Sequence, residues 1–145
     1  MDPIPRDTWE AYFRTLYWIE APGERLCLRV GEPSPDLDRL LQRHAVREAA
    51  YVTAWNPFSR VRSEPENAAR QREFVEEVRA QWQVLPGAGV GEDEAWKEPS
   101  LLILGIPRGD AMALGRRWEQ NAILVAEAGR PVELVALRPV AAPKG

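Results

Sequence analysis

The sequence predicts an α+β fold: one compact domain in which a mixed β-sheet carries about three main helices. Three observations lead there. Short runs rich in β-branched, aromatic and aliphatic residues recur between turn signals. Longer amphipathic stretches with capping residues at their starts alternate with those runs. No repeat and no Pro/Gly/Ser-rich linker divides the 145 residues, a length that suits one core. The folded part is expected over about 8–138, with a frayed tail over 139–145.

Element by element, the order reads ββαβαββαββ, preceded by a short helix from Thr8 that Asp7 can cap. "TLYWIE" and "RLCLRV" flank "APGE", whose proline and glycine occupy the positions a type II turn wants, so the two runs should pair as strands. "SPDLDRLLQRH" has Ser34 at the N-cap, Pro35 at the first helical position, and Leu37, Leu40 and Leu41 on one face. "AAYVTAW" is apolar on both faces, as a central strand would be. Ser63 and Glu66 have the spacing of a capping box. They open a helix to about Trp82 with Asn67, Gln71, Phe74, Val75 and Val78 inward. A short strand "QVL", a loop "PGAGVGEDEAW" and a buried strand "SLLILGI" follow. A helix over Gly109–Glu119 and a closing hairpin, "AILVAEA" and "VELVAL", complete the order.

Composition narrows the function classes. Hydrophobic residues make up 45% and charged residues 28%, ordinary for a globular protein. A net charge of −3 and a pI near 5.3 offer nucleic acid or anionic lipid no general attraction, so neither is an expected partner. Arginines 60, 62, 70 and 72 would make at most a local basic face. One cysteine and one histidine exclude a disulfide within the chain and a zinc site of the usual Cys/His kind. Cys27, inside "LCL", reads as a small buried hydrophobe, and His44 as a structural group at a helix end. "MDPIPRD" lacks the basic and apolar segments of a signal peptide, and no apolar run is long enough to span a bilayer; the expected location is cytoplasmic.

Two apparent motifs dissolve on inspection. The glycines of "PGAGVGEDE" fit neither phosphate-loop spacing, and Glu92, Asp93 and Glu94 would repel a phosphate. The same acidic run lacks the ligand alternation of a calcium loop and reads as a solvated surface. No metal and no cofactor is expected.

Asparagine carries a clearer signal. It occurs three times, and Asn56, Asn67 and Asn121 each stand at the end of an element. "TAWNPFS" ends one strand, "WKEPS" leads into another, and "EQNA" joins a helix to a third. Proline after Asn56 disfavours the right-handed helical region and keeps the residue on an extended or turn backbone. These segments nominate Trp55, Asn56, Ser59, Asn67, Arg70, Trp96, Glu98, Ser100, Gln120 and Asn121 as a ligand-binding group.

With "LRVGEPSPDL", "TAWNPFS" followed by "ENAAR", "WKEPSLLILGI" and "QNAILV" in this order, the chain resembles a family of uncharacterised bacterial proteins, domain of unknown function 3293. The resemblance runs from about Tyr12 to Leu137. Its characteristic positions fall on Thr53, Trp55, Asn56, Pro57, Asn67, Arg70, Glu98, Ser100, Gln120 and Asn121, and it implies no activity or cofactor. Trp118-Glu119 departs from the aromatic-glycine pair the family has before the glutamine.

Structural and functional roles both remain open for these residues. Each asparagine could serve a turn or a helix end, and Glu98 could pair with Arg70. Convergence in space would instead make a pocket of amides and indoles, suited to a small ligand or a peptide. An enzyme with Glu98 as general acid or base is the alternative, with Asn56 or Gln120 polarising a substrate oxygen. A regulatory or interaction domain is the third reading, and the sequence favours no oligomeric state.

Overall fold

The computed structural model describes residues 2–143 and has the expected α+β architecture. Among these residues there are four α-helices and one sheet of seven strands. The elements are α1 (Arg6–Arg14), β1 (Leu16–Ala21), β2 (Glu24–Leu28), α2 (Pro35–Arg43), β3 (Glu48–Val52), α3 (Glu64–Arg79), β4 (Gln83–Val90), β5 (Lys97–Leu104), α4 (Arg108–Arg117), β6 (Ala122–Glu127) and β7 (Glu133–Ala136). The strand order is β2-β1-β4-β5-β3-β6-β7.

Local chemistry accounts for most boundaries. Gly23 takes φ 78° in the β1–β2 turn, as its type requires. Ser34 Oγ accepts from the Leu37 amide at 3.2 Å and Ser63 Oγ from the Glu66 amide at 3.3 Å, so both expected caps form. Helix α1 begins at Arg6 behind Pro5, and Asp7 lies in its first turn rather than at the cap.

The sheet is antiparallel throughout its named strands, not mixed. The reason is topological: β2–α2–β3, β3–α3–β4 and β5–α4–β6 each connect strands that are not neighbours, so no parallel βαβ pair arises. Strand β4 also extends through Pro86–Val90, where the sequence suggests a loop. Proline is tolerated there because β1 pairs only as far as Gly87, leaving Pro86 opposite β5 alone. Gly87 is required, since a Cβ would sit 2.1 Å from the Trp18 carbonyl oxygen. Cys27 is exposed on edge strand β2, where alternation buries Leu26 and Leu28 and turns it outward.

Helix α2 packs Leu37, Leu40 and Leu41 onto one face of the sheet, against Ile19, Leu85, Leu102, Leu104 and Leu124. Helices α3 and α4 cover the other face through Phe74, Val78 and Ala111, against Val52, Leu101, Ile103 and Ile123. The expected fraying does not begin at 139. The Ile4 amide donates to the Pro139 carbonyl at 2.7 Å and the Ala141 amide to the Ile4 carbonyl at 2.9 Å; 144 and 145 lie outside the described residues. No helix among the described residues is long and apolar enough to cross a membrane.

Candidate functional site

Sheet register assembles the site on the face that α2 covers, but beyond the end of that helix's apolar contact. Tyr17 of β1 stands opposite Gly89 of β4, and Gly89 stands opposite Glu98 of β5. Directly opposed residues share a face, so the absent side chain of Gly89 leaves a gap between a phenol and a carboxyl group. The next row supplies Gly87 and Ser100, and Tyr51 enters from β3. Tyr12 of α1 and Ser59 roof the gap. The result is a cavity of about 60 Å³ lined by these groups together with Thr53, Trp96 and Gln120.

The turn after β3 carries unusual backbone geometry. Asn56, Phe58 and Ser59 have φ of 45°, 55° and 58°, and Glu119 across from them has 57°. Non-glycine residues seldom occupy the left-handed region, and four held there at one junction require strong fixing by their surroundings. The Phe58 amide donates to the Glu119 carbonyl at 2.6 Å, which ties the two turns together. Glycine's usual conformation is therefore kept at Glu119, and the backbones approach closely without it. Asn56 is left-handed rather than extended; avoiding the right-handed region before Pro57 left this solution open too.

Two amides lock each other. Asn56 Oδ1 accepts from the Arg62 amide at 3.0 Å and from Asn67 Nδ2 at 2.7 Å, while Asn67 Oδ1 accepts from the Asn56 amide at 2.8 Å. Backbone N–H groups only donate, so both carboxamide orientations are fixed. Asn56 Nδ2 must then point the other way, and it donates to Glu98 Oε1 at 3.3 Å. A second chain runs from Arg138 Nε to Asn121 Oδ1 at 2.7 Å, and from Asn121 Nδ2 to the Tyr12 hydroxyl at 3.0 Å. That hydroxyl shares a 2.6 Å hydrogen bond with Ser59 Oγ.

Glu98 is half-buried, and its carboxyl is pushed up to about 7 by loss of solvation, against the smaller opposing effect of the Asn56 hydrogen bond. It has no Arg70 partner. The Arg70 guanidinium instead donates to the Ala54 and Trp118 carbonyls and meets Glu119 at 3.5 Å. Burial also raises the phenols of Tyr12, Tyr17 and Tyr51 above their ordinary value.

Of the ten residues nominated from sequence, Ser59, Trp96, Glu98, Ser100 and Gln120 line the cavity, and Asn56, Asn67 and Asn121 brace it from behind. The other two point elsewhere. The Trp55 side chain lies against Ala68, Gln71 and Val75 on the α3 side, although its carbonyl accepts from Gln120 Nε2 at 3.4 Å. Arg70 clamps the two turns from outside. Sequence reasoning missed Tyr12, Tyr17 and Tyr51, the chain's three tyrosines, and Arg138. Rarity, the signal that singled out asparagine, applied to tyrosine equally.

No curated protein and no solved structure matches the chain. A family model, described as "Protein of unknown function (DUF3293)", matches residues 52–123. That span is narrower than the resemblance from Tyr12 to Leu137 suggested, yet it contains all ten nominated residues and both left-handed turns. The tyrosines that line the cavity, and Arg138 that braces it through Asn121, fall outside it. Over residues 52–123 the chain is thus similar to this family of unknown function.

Proposed function

We propose that this domain is a binding module whose cavity receives the polar end of a small molecule. The observation that carries the reading is the combination of an open volume above Gly89 with a carboxyl group whose second oxygen, Oε2, has no hydrogen-bond partner among the described residues. No buried side-chain oxygen among the described residues lacks a partner, so Oε2 is open to solvent and its lone pairs are available to a guest. Fixed amides and strained turns around that group support the same reading, since preorganised first contacts favour a ligand over solvent. At about 60 Å³ the cavity has room for about two water-sized groups, so it takes the end of a ligand rather than the whole.

A thermal-shift screen of small polar metabolites tests this, run on the parent and on an Asn56→Ala/Glu98→Ala double variant. A compound that raises the Tm of the parent alone supports the cavity as its site. Equal shifts in both proteins, or none with any compound, would remove the reading.

One observation favours an enzyme as the second reading. A carboxyl titrating near 7 is suited to give and take a proton at neutral pH, so Glu98 could act as general acid or base on a bound substrate. Full turnover by Glu98→Gln of any substrate found would exclude that role.

A further inference from the structure

Most polar groups of the cavity wall face it as acceptors, the Trp96 indole N–H and the one proton left over by the Tyr12–Ser59 pair being donors, and this bias bears on the chemistry of its occupant. A backbone carbonyl can only accept, so a hydroxyl bonded to one must spend its single proton there. Tyr17 donates to the Tyr12 carbonyl at 2.9 Å, Tyr51 to the Trp18 carbonyl at 2.8 Å, Thr53 to the Pro99 carbonyl at 2.6 Å and Ser100 to the Glu98 carbonyl at 3.0 Å. Four lining hydroxyls therefore keep only lone pairs for a guest. Gln120 directs its Nε2 to the Trp55 and Trp118 carbonyls, which leaves its oxygen as the free end. To these acceptors is added Glu98 Oε2. Among the described residues Glu98 forms no ion pair, and Arg138 is committed to Asn121, the Asp2 carbonyl and the Phe58 ring.

Resting on the binding reading, we infer that the cavity takes the primary ammonium group of a small amine, held against the Glu98 carboxylate and the surrounding hydroxyl oxygens. An ammonium brings three donors and the missing positive charge, and its first methylene meets phenol and indole faces that attract cations. An anion would meet lone pairs and a carboxyl; a neutral hydroxyl would leave the acid without a counter-charge. The volume suits an ammonium and one methylene.

Methylammonium chloride is the probe, titrated into the full chain while the amide resonances of Gly89, Glu98 and Ser100 are followed, with sodium chloride and sodium acetate as ionic controls. N-acetyl-lysine amide, titrated alongside, distinguishes a free amine from a side-chain source. Saturable shifts with methylammonium but not acetate are expected at pH 8, at least tenfold weaker in Glu98→Gln. Because the Glu98→Gln change could disturb the Asn56 contact, Gly89→Ala provides a second variant. Its added Cβ would stand 3.6 Å or more from Tyr17 and Thr15, so it fits the fold while intruding on the cavity, and binding should again fall at least tenfold.

Affinity should also drop about tenfold from pH 8 to pH 6, as Glu98 takes up a proton. The groups facing it are Tyr12 from α1, Tyr17 from β1 and Tyr51 from β3, phenols all held above their ordinary value and so unchanged in charge over that interval, with Arg138 behind Asn121. Acetate binding as tightly as methylammonium, methylammonium binding indifferent to Glu98→Gln, or no saturation with methylammonium at 100-fold excess over protein and beyond would each overturn the inference. A neutral or acidic metabolite that binds in the cavity would overturn it while leaving the binding module intact. A screen with no ligand at all would remove both.

Discussion

Strand β5 passes through two environments on a single face of the sheet. At one end, Leu102 and Leu104 lie under Leu37, Leu40 and Leu41 of α2, among aliphatic side chains. Two residues earlier on the same face come Ser100 and Glu98, under Tyr12 and the left-handed turn. The backbone pairing is equally regular in both halves. Register thus decides which side chains share a surface, but the covering element decides what chemistry that surface can hold. Under α2 the requirement is volume. Under α1 it is partners for polar atoms, met largely by carbonyls and locked amides, with Glu98 Oε2 and the Gln120 oxygen left free.

The sharpest break in that comparison is Leu102→Ala. A fully buried leucine truncated under α2 should lower stability by about 3–4 kcal/mol, read as a shift in the urea midpoint without a change in slope. Next comes Asn67→Ala in the polar half. It removes little apolar surface but orphans the Asn56 amide and frees the carboxamide aimed at Glu98, for an expected loss of about 2–3 kcal/mol. A loss below about 1 kcal/mol would mean that the two halves are not held by different forces.

Glu98→Gln sharpens the contrast through pH. The folded carboxyl sits near 7, above its ordinary 4.5, so the folded state binds the proton more tightly than the unfolded chain. Its stabilising contribution is complete below about pH 4.5 and is lost as pH rises through 7. The parent should therefore lose stability relative to Glu98→Gln by roughly 2 kcal/mol between pH 5 and pH 8. A constant difference across that range would place the acid in a wetter setting than its surroundings indicate. The smallest effect is expected for Tyr12→Phe, about 1 kcal/mol, because the ring stays and only the link from Asn121 to Ser59 is cut. Its cycle with Asn121→Ala should be markedly non-additive, since both changes break one hydrogen-bonded chain.

Much of the fold was legible because it depends on local chemistry. Ser34, Ser63, Pro35 and Gly23 act on their immediate neighbours, and their roles survive intact in the structure. The second half of β4 was not, because Pro86, Gly87 and Gly89 have turn-like propensities that only their partners in β1 and β5 override. The parallel pairs implied by a mixed sheet failed for a related reason: strand order is set by long-range packing, which periodicity does not encode. At the site, scarcity of asparagine picked out amides that the structure sets around one cavity, whereas Trp55 and Arg70 were included for proximity in sequence and face away. Tyr17 could be found only with the register of β1 on β4, and the burial of Glu98 only with knowledge of what roofs β5.

The roof over Gly89 joins residues remote along the chain. Tyr12 meets Asn121 across 109 positions, and the Arg138 guanidinium reaches the Asp2 carbonyl across 136. Such contacts close very long loops and form only after the intervening chain has been ordered. The α2 core can assemble from β1 to β6, but the roof must wait for Arg138 to be synthesised and docked. During translation and refolding, the pocket should therefore be the last part of the protein to mature, and Glu98 should meet bulk water until that final closure.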